Sequence, residues 1–362
     1  MASKTGFDYA PKAAHTKKVV QPGEFKFAAA FLDHGHIFGQ CNGLIEAGAE
    51  LASVYDPDPE KVAKFLESHP GTPVAESFEA VLADPDIKLV AAAAIPNERA
   101  AIGIRTMEAG KDYFTDKCPF TSLEQLEEVR TKVAETGRRY MVYFSERLHV
   151  ESAVMATKLI QDGAVGDVVQ VMNLAPHRLS KESRPDWFWD KARYGGIITD
   201  IGSHQCDQLL VLTGSNDATI NFARAANFAS PEHPGFEDFG EVSYTMSSGA
   251  SGYYRLDWFT PDASPVWGDG RTFVVGTKGT LEIRKYWDPL QPNEPRDRIY
   301  LVNGEDQQLI ECADKVGFPF FGEMIFDLIN GTDKAMSQAH IFKSAEISLK
   351  AQLMADAARL GG

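Results

Sequence analysis

The sequence predicts a doubly wound α/β domain followed by an α+β domain built on an antiparallel sheet with C-terminal helices. Three observations predict it. From residue 25 to 148, apolar runs of strand length alternate with helical patterns, as βαβ units around a parallel sheet require. After residue 148 the runs become longer, alternate apolar with polar residues and are joined by glycine-bearing turns, which marks antiparallel pairing. The stretch from Phe321 onward returns to helical periodicity. A chain of 362 residues also exceeds what one domain ordinarily holds.

The elements follow in order. Residues 1–24 mix Lys, Pro and Gly without a period and read as an arm or tail. The first domain, 25–148, has strand candidates FKFAAAFL, AELASVYD, KLVAAAAIP, KDYFTD and RRYMVYF. Between them lie helix candidates at 36–47, PEKVAKFLES, NERAAIGIRTMEAG and TSLEQLEEVRTKVAETG. The last opens with Thr121 three residues before Glu124, the spacing of a capping box, and Gly110 and Gly137 stand where left-handed caps are expected. The second domain, 149–362, opens with the helix HVESAVMATKLIQDG. Strand runs follow: DVVQVMNLAPH, ATINFARAANF, FGEVSYTMSSGASGYYRLDWF, RTFVVGTKGTLEIRKY and RIYLVNG. FGEMIFDLIN and AHIFKSAEISLKAQLMADAARL close it as helices.

Composition excludes some functions. Acidic residues outnumber basic ones by 51 to 36, a formal charge of −15, with no Lys/Arg stripe, so neither nucleic acid nor an anionic membrane is expected as partner. No apolar run approaches the roughly 20 residues of a membrane helix, and no signal-peptide pattern opens the chain. A cytoplasmic protein is expected, with Cys41, Cys118, Cys206 and Cys312 as reduced thiols.

Two segments carry candidate chemistry. The turn after the first strand, DHGHIFG, has Gly35 where a dinucleotide turn needs its middle glycine, but Asp33 and Phe38 stand in place of the outer two. Gly35, His36 and Ile37 would present main-chain N–H groups to a pyrophosphate. Asp56, 21 residues after Gly35 at the end of the second strand, suits ribose hydroxyls and repels a 2′-phosphate, which favours NAD over NADP. The alternative is that Asp33 caps the helix at 36–47 and Gly35 serves a tight turn. The two histidines flanking Gly35 have no partner cluster nearby in sequence, so no metal is expected. The second segment is YGGIITDIGSHQCDQLLVLTG, 194–214. As a helix from Ile197 it puts Asp200, His204 and Asp207 on one face, where a carboxylate one turn from an imidazole can support a general base. The alternative is a solvated helix face.

Both segments gain from a resemblance spread over most of the chain. TDKCPFTSLEQLEEV, 115–129, resembles the Glu-Lys-Pro segment of the glucose-fructose oxidoreductase, inositol dehydrogenase and MocA family, and YGGIITDIGSHQCDQL is similar to that family's GGxxxDxGxHxxD motif. The resemblance implies a Rossmann domain followed by a domain with an open-faced antiparallel β-sheet, and reversible hydride transfer between NAD and a sugar, cyclitol or related alcohol. Lys117 would hydrogen-bond substrate and help place the nicotinamide, His204 would take the hydroxyl proton, and Asp200 would position substrate or His204. Pro96, Asn97 and Asp116 would lie near the cofactor. A homodimer or homotetramer associating through the open sheet is implied as well. Cys118 stands where the family has proline, so a trans Lys117–Cys118 bond is expected, and Arg99 stands near a position where histidine is common. His177, Arg178, Trp187 and Tyr194 precede the motif in a polar and aromatic loop that suits a sugar face, or packs as a long loop. Two rivals to a dehydrogenase stay open: a redox-neutral lyase or glycosidase retaining NAD, and a non-catalytic nucleotide or sugar sensor.

Overall fold

The computed structural model describes residues 9–12, 17–289 and 297–360. They form two compact units, one built on the chain through Tyr143 together with Phe318–Phe342, the other on Phe144–Gly317 and the chain from Lys343.

The first unit runs β1 (Lys26–Ala30), α1 (His36–Glu46), β2 (Glu50–Tyr55), α2 (Pro59–Ser68), α3 (Phe78–Ala83), β3 (Ile87–Ala92), α4 (Arg99–Glu108), β4 (Asp112–Asp116), α5 (Leu123–Thr136) and β5 (Tyr140–Tyr143). Its five strands pair in parallel in the order β2-β1-β3-β4-β5. The central strands read as continuous apolar runs because helices cover both faces, and Phe27, Ala28, Ala29 and Ala30 of β1 are fully buried. All five strands expected from the sequence are present. The short α3 was not foreseen. The capping box of α5 sits one residue later than expected: Ser122 accepts from the Gln125 N–H, and Gln125 Oε1 accepts from the Thr121 N–H. Gly110 and Gly137 adopt positive φ at the helix ends. Of the arm expected over 1–24, residues 1–8 and 13–16 lie outside the described residues. Val20 is buried, and the Val19 N–H donates to the Ala47 carbonyl.

The second unit begins with α6 (Ser145–Leu148) and α7 (Glu151–Gln161), then β6 (Val168–Pro176), α8 (Lys191–Tyr194), α9 (Ile197–Asp200) and α10 (Gly202–Leu212). It continues through β7 (Ala218–Ala226), β8 (Phe239–Met246), β9 (Ser251–Asp257), β10 (Arg271–Gly276), β11 (Gly279–Arg284), β12 (Arg298–Asn303) and β13 (Gln307–Glu311). The sheet order is β13-β12-β11-β10-β6-β9-β8-β7. Pairing is antiparallel except between β6 and β9, because the chain leaves β6 through α8–α10, enters at the far edge as β7 and returns by hairpins to β6. The 197–212 helix breaks at Ile201 into α9 and α10.

The remaining helices are α11 (Pro319–Asn330) and α12 (Gln338–Leu360). The sequence places 149–362 in one domain, yet α11 and the first turn of α12 belong to the first unit. Glycine at α1 lets this happen. Gly39 and Gly43 lie four residues apart on one helix face, and a Cβ at Gly43 would overlap the buried ring of Phe321 on α11. A Cβ at Gly39 would overlap the Tyr143 hydroxyl.

Gly43→Ala should therefore destabilise the protein by about 1–3 kcal/mol through overpacking. Calorimetry should show a Tm lowered by several degrees, and an unchanged Tm would mean that Phe321 shifts aside freely.

Candidate functional site

The strand order puts the topological switch point between β1 and β3, where a doubly wound fold takes its ligand at the carboxyl ends of the strands. Phe31 follows β1 with φ 53°, a region L-residues rarely adopt, its ring edge-on to Phe78 and Tyr55. The turn that follows is held from β2: the Leu32 N–H donates to Asp56 Oδ2 at 2.6 Å and the Asp58 N–H to Oδ1 at 2.8 Å. Burial pushes the Asp56 carboxyl up, and these two amides and Lys61 offset only part of that.

Gly35 has φ −63°, so left-handed geometry is not what requires glycine there. As the N-cap it offers no side chain to α1, and the first turn of α1 carries no acidic residue. Among the described residues the only side chain seen to approach the first N–H groups is His34, whose Nδ1 lies 3.2 Å from the His36 N–H, while the Ile37 and Phe38 N–H groups donate to the His34 and Gly35 carbonyls at 3.2 Å. The partial positive charge of this helix end therefore suits a pyrophosphate. Asp33 does not cap α1, contrary to the alternative expectation. Its Oδ1 lies 2.6 Å from Lys61 Nζ on α2, because α2 delivers a cation directly to it. Phe38, where the third glycine would stand, stacks on Phe65 of α2 at 5.6 Å, and Gly39 provides the close packing instead. Ile37 is a core residue, 1% exposed, and can serve a ligand only through its main chain.

At the end of β4, Asp116 is fully buried beside the Arg99 guanidinium and two imidazoles. His36 Nδ1 lies 2.8 Å from its Oδ1, His34 Nδ1 3.2 Å from its Oδ2 and Arg99 Nη2 3.2 Å from Oδ2, while the Lys117 N–H donates to Oδ1 at 2.7 Å. Burial alone would raise this carboxyl, but His36 and Arg99, with His34 behind them, hold it well below the usual range. Burial and the neighbouring His36 push His34 well below the ordinary histidine value. The two histidines thus do have a partner that sequence distance conceals. His34, His36 and Asp116 bring three donor atoms within metal-binding reach of one another. Hydrogen-bond donors already engage two of them, since His34 Nδ1 faces the His36 N–H and Asp116 faces Arg99 and the Lys117 N–H. The set forms an ionic lock centred on Asp116.

Arg99 explains a further difference. The Lys117–Cys118 peptide is cis, not trans as expected. The fully buried Arg99 donates from Nη1 to the Lys117 carbonyl and, at 2.9 Å, to the Cys118 carbonyl, and from Nε to Ala94 O at 2.7 Å. Both carbonyls of the bend therefore converge on one guanidinium. Lys117 is 7% exposed. After β3, Pro96 is buried and Asn97 Oδ1 is a buried acceptor with no hydrogen-bond partner among the described residues, an atom a ligand amide or hydroxyl would satisfy.

In the second unit the polar stripe of α9 and α10 is buried: Asp200 is 8% exposed, His204 2% and Asp207 0%. The solvated-face alternative fails. Asp207 is held by Arg147 of α6, with Nε–Oδ2 at 2.6 Å and Nη2–Oδ1 at 2.7 Å, and so is a structural anchor. The sequence did not single out what lies beside His204. Glu146 of α6 accepts from Gln205 Nε2 and from Lys285 Nζ, both at 3.0 Å, and Gln208 Oε1 accepts from the same Lys285 at 2.7 Å. An acidic residue three positions past the apolar β5 run was a usable signal for Glu146, whereas Lys285, 139 residues away, gave none.

The 177–194 loop is largely packed. Arg178 donates to Ser264 O at 2.7 Å and Val266 O at 3.1 Å and pairs with Asp262, clamping that loop. Tyr194 is 1% exposed and its hydroxyl accepts from the Glu237 N–H at 3.0 Å. Trp187 is buried against Phe188. His177 packs on Trp267 and Trp258, with Nε2 3.8 Å from Glu146 Oε1.

A parallel-sheet unit with an uncapped first helix, followed by an eight-stranded sheet carrying a buried Asp–His helix, defines a nucleotide-dependent oxidoreductase architecture. Sequence profiles agree: the oxidoreductase family with NAD-binding Rossmann fold matches residues 27–144, and the GFO/IDH/MocA C-terminal domain matches 154–282. The chain belongs to the GFO/IDH/MocA oxidoreductase family, and its first unit is an NAD-binding domain. It is 47% identical to a solved structure from Erwinia carotovora atroseptica SCRI1043 assigned as an oxidoreductase, covering 92% of this chain and 99% of that one, with a TM-score of 0.88. It is 28% identical over 245 residues to scyllo-inositol 2-dehydrogenase (NAD(+)) of Bacillus subtilis strain 168, 65% of this chain and 66% of that protein. A levoglucosan dehydrogenase in complex with NADH and levoglucosan shares the fold, with a TM-score of 0.72 over 92% of this chain and 97% of that chain, at 18% identity. Three other curated oxidoreductases match over 154 to 245 residues, 41 to 62% of their own lengths.

Two outcomes test the ionic lock. Arg99→Met, which strands Asp116 without its guanidinium, should lower stability by about 3–5 kcal/mol in denaturant unfolding, and a loss under about 1 kcal/mol would show Arg99 dispensable. Below pH about 6.5 the unfolded chain protonates His34 while the folded chain does not, so stability should fall as pH drops from 7 toward 5. His34→Asn should flatten that fall in a Tm series, and an equal slope in both proteins would assign it to other groups.

Proposed function

We propose that the protein is an NAD-dependent dehydrogenase that oxidises a hydroxyl-bearing carbon of a sugar, cyclitol or related polyol. The observation that carries this reading is the burial of His204 one helical turn from Asp200, with the third polar residue of the stripe, Asp207, closed off by Arg147. A surface helix would not bury such a pair; a proton-transfer site would. The cyclitol dehydrogenase relative and the levoglucosan complex support a polyhydroxylated substrate.

In this reading NAD is held by the Gly35–His36–Ile37 main chain at its pyrophosphate, by Asp56 at its adenosine ribose, and by Pro96, Asn97, Asp116 and Lys117 towards the nicotinamide. Bound there, it supplies the acceptor for the hydride that leaves the carbinol carbon. His204 takes the hydroxyl proton, being the side chain whose ordinary pKa lies nearest neutrality. The Lys117 ammonium stabilises the developing alkoxide, and Asp200 orients the imidazole or the substrate. His177 contributes a substrate contact, with Trp187, Arg178 and Tyr194 shaping the loop behind it. Among the described residues no helix is long and apolar enough to cross a membrane. A cytoplasmic homodimer or homotetramer completes the reading, supported by exposed apolar residues on the second sheet such as Phe222, Val275 and Val302.

NAD should bind more tightly than NADP by calorimetry, and Asp56→Ser should narrow the gap; equal affinities in the wild type would remove Asp56 from the ribose site. With a panel of sugars, cyclitols and glycosides, NADH absorbance at 340 nm should appear with at least one. A chain that converts substrate without net reduction would instead be a retained-NAD lyase or glycosidase. His204→Asn and Lys117→Ala should each slow turnover by ~10²- to 10⁴-fold with NAD affinity retained. Asp200→Asn should slow it less, and near-normal turnover in the first two variants would refute the assignment.

A further inference from the structure

Joined to the His204 turn of α10 through Gln205 and Gln208 is an ionic network that the proposed reaction does not use. Glu146 is 3% exposed and Lys285 4%, and they meet at 3.0 Å. Gln205, the residue after His204, donates to Glu146, while Gln208 accepts from Lys285 and donates to the His204 carbonyl at 3.2 Å. Gln208 also donates to Gln205 Oε1 at 3.1 Å, closing the ring of contacts. Glu146 Oε1 has no hydrogen-bond partner among the described residues and points at His177 Nε2 at 3.8 Å. A buried charge pair of this kind contributes little stability over an apolar pair, so its presence beside a titrating group calls for another reason.

We propose that Glu146 and Lys285, linked to α10 through Gln205 and Gln208, are positioning residues that set the proton affinity of His204, Glu146 favouring its imidazolium and Lys285 limiting that preference. The inference rests on His204 as the proton acceptor. Burial would raise the Glu146 carboxyl, yet Lys285, His204 and His177, in that order, hold it far below the usual range, so it stays ionised throughout the working range. As the hydroxyl proton passes to His204, the new imidazolium finds a fixed carboxylate nearby, and Lys285 prevents that carboxylate from trapping the proton after turnover.

The other charged groups on elements packed against α10 are accounted for. Arg147 on α6 is joined to Asp207 of α10 itself. On β9, Arg255 and Asp257 pair with each other at 3.0 Å. On α7, Glu151 accepts from the Asp314, Val316 and Gly317 N–H groups, and Lys158 pairs with Asp162. Asp200 of α9 remains as the second carboxylate near His204 in sequence, and its contribution is fixed in every variant below.

The test needs no substrate. The full-length protein, labelled with ¹⁵N-histidine, is titrated by NMR, with His204→Asn used to assign the His204 ring signals. Glu146→Gln should lower the His204 midpoint by about 1 unit or more, and Lys285→Met should raise it by a similar amount. The double variant Glu146→Gln/Lys285→Met should return near wild type, and Lys285→Arg should leave the midpoint in place. A purely structural role would move both single variants in the same direction or neither, and either result overturns the proposal. If one single variant does not fold, the double variant and Lys285→Arg still decide it, since a shift of a unit or more in either refutes charge compensation. Should a substrate be found, the acid limb of kcat/KM should move in the same two directions. Loss of that limb in His204→Asn tests the base assignment separately from its tuning.

Discussion

The NAD-binding unit depends on one buried carboxylate. Asp116 ends β4 and is approached by the β1 turn through His34 and His36, by α4 through Arg99 and by its own following amide. A lone carboxylate in that position would be strongly destabilising, so each partner is required by the others. The result fixes the carboxyl ends of β1 and β4 and the start of α4 as one piece.

The glycine pattern of the first turn is altered without its physical tasks being lost. The helix end is left without a side-chain cap by Gly35, close packing moves one residue along to Gly39, and the carboxylate at position 33 is neutralised by Lys61. A fingerprint is a set of contacts before it is a spelling. In the same way, the guanidinium of Arg99 gathers both carbonyls of the Lys117–Cys118 bend, a task no proline performs.

Much of the architecture was legible because local pattern and burial agree. The five parallel strands were readable because helices cover both faces and the runs are continuously apolar. The strands of the second sheet alternated cleanly except β13, whose Gln307–Glu311 is too short and polar to register. The parallel β6–β9 pair and the return of α11 to the first unit depend on where the chain goes after leaving an element, which periodicity does not encode. His204 and Asp200 could be singled out as candidates because they share one short segment. Their burial, the Arg147–Asp207 bond and the Glu146–Lys285 pair join residues 60 and 139 positions apart, and no window of sequence contains them.

The contribution of Phe318–Phe342 to the first unit has a consequence for biosynthesis. A ribosome exposes the five strands of that unit long before it makes the Phe321 ring that fills the notch at Gly43. Until then the α1 surface is an unfilled apolar groove on a nascent chain, open to chaperones and to wrong partners. Domains ordinarily fold from the amino terminus as they emerge, but this one must wait for nearly the whole polypeptide. A stop codon anywhere between the two segments would leave a recognisable nucleotide-binding fold that lacks part of its own core.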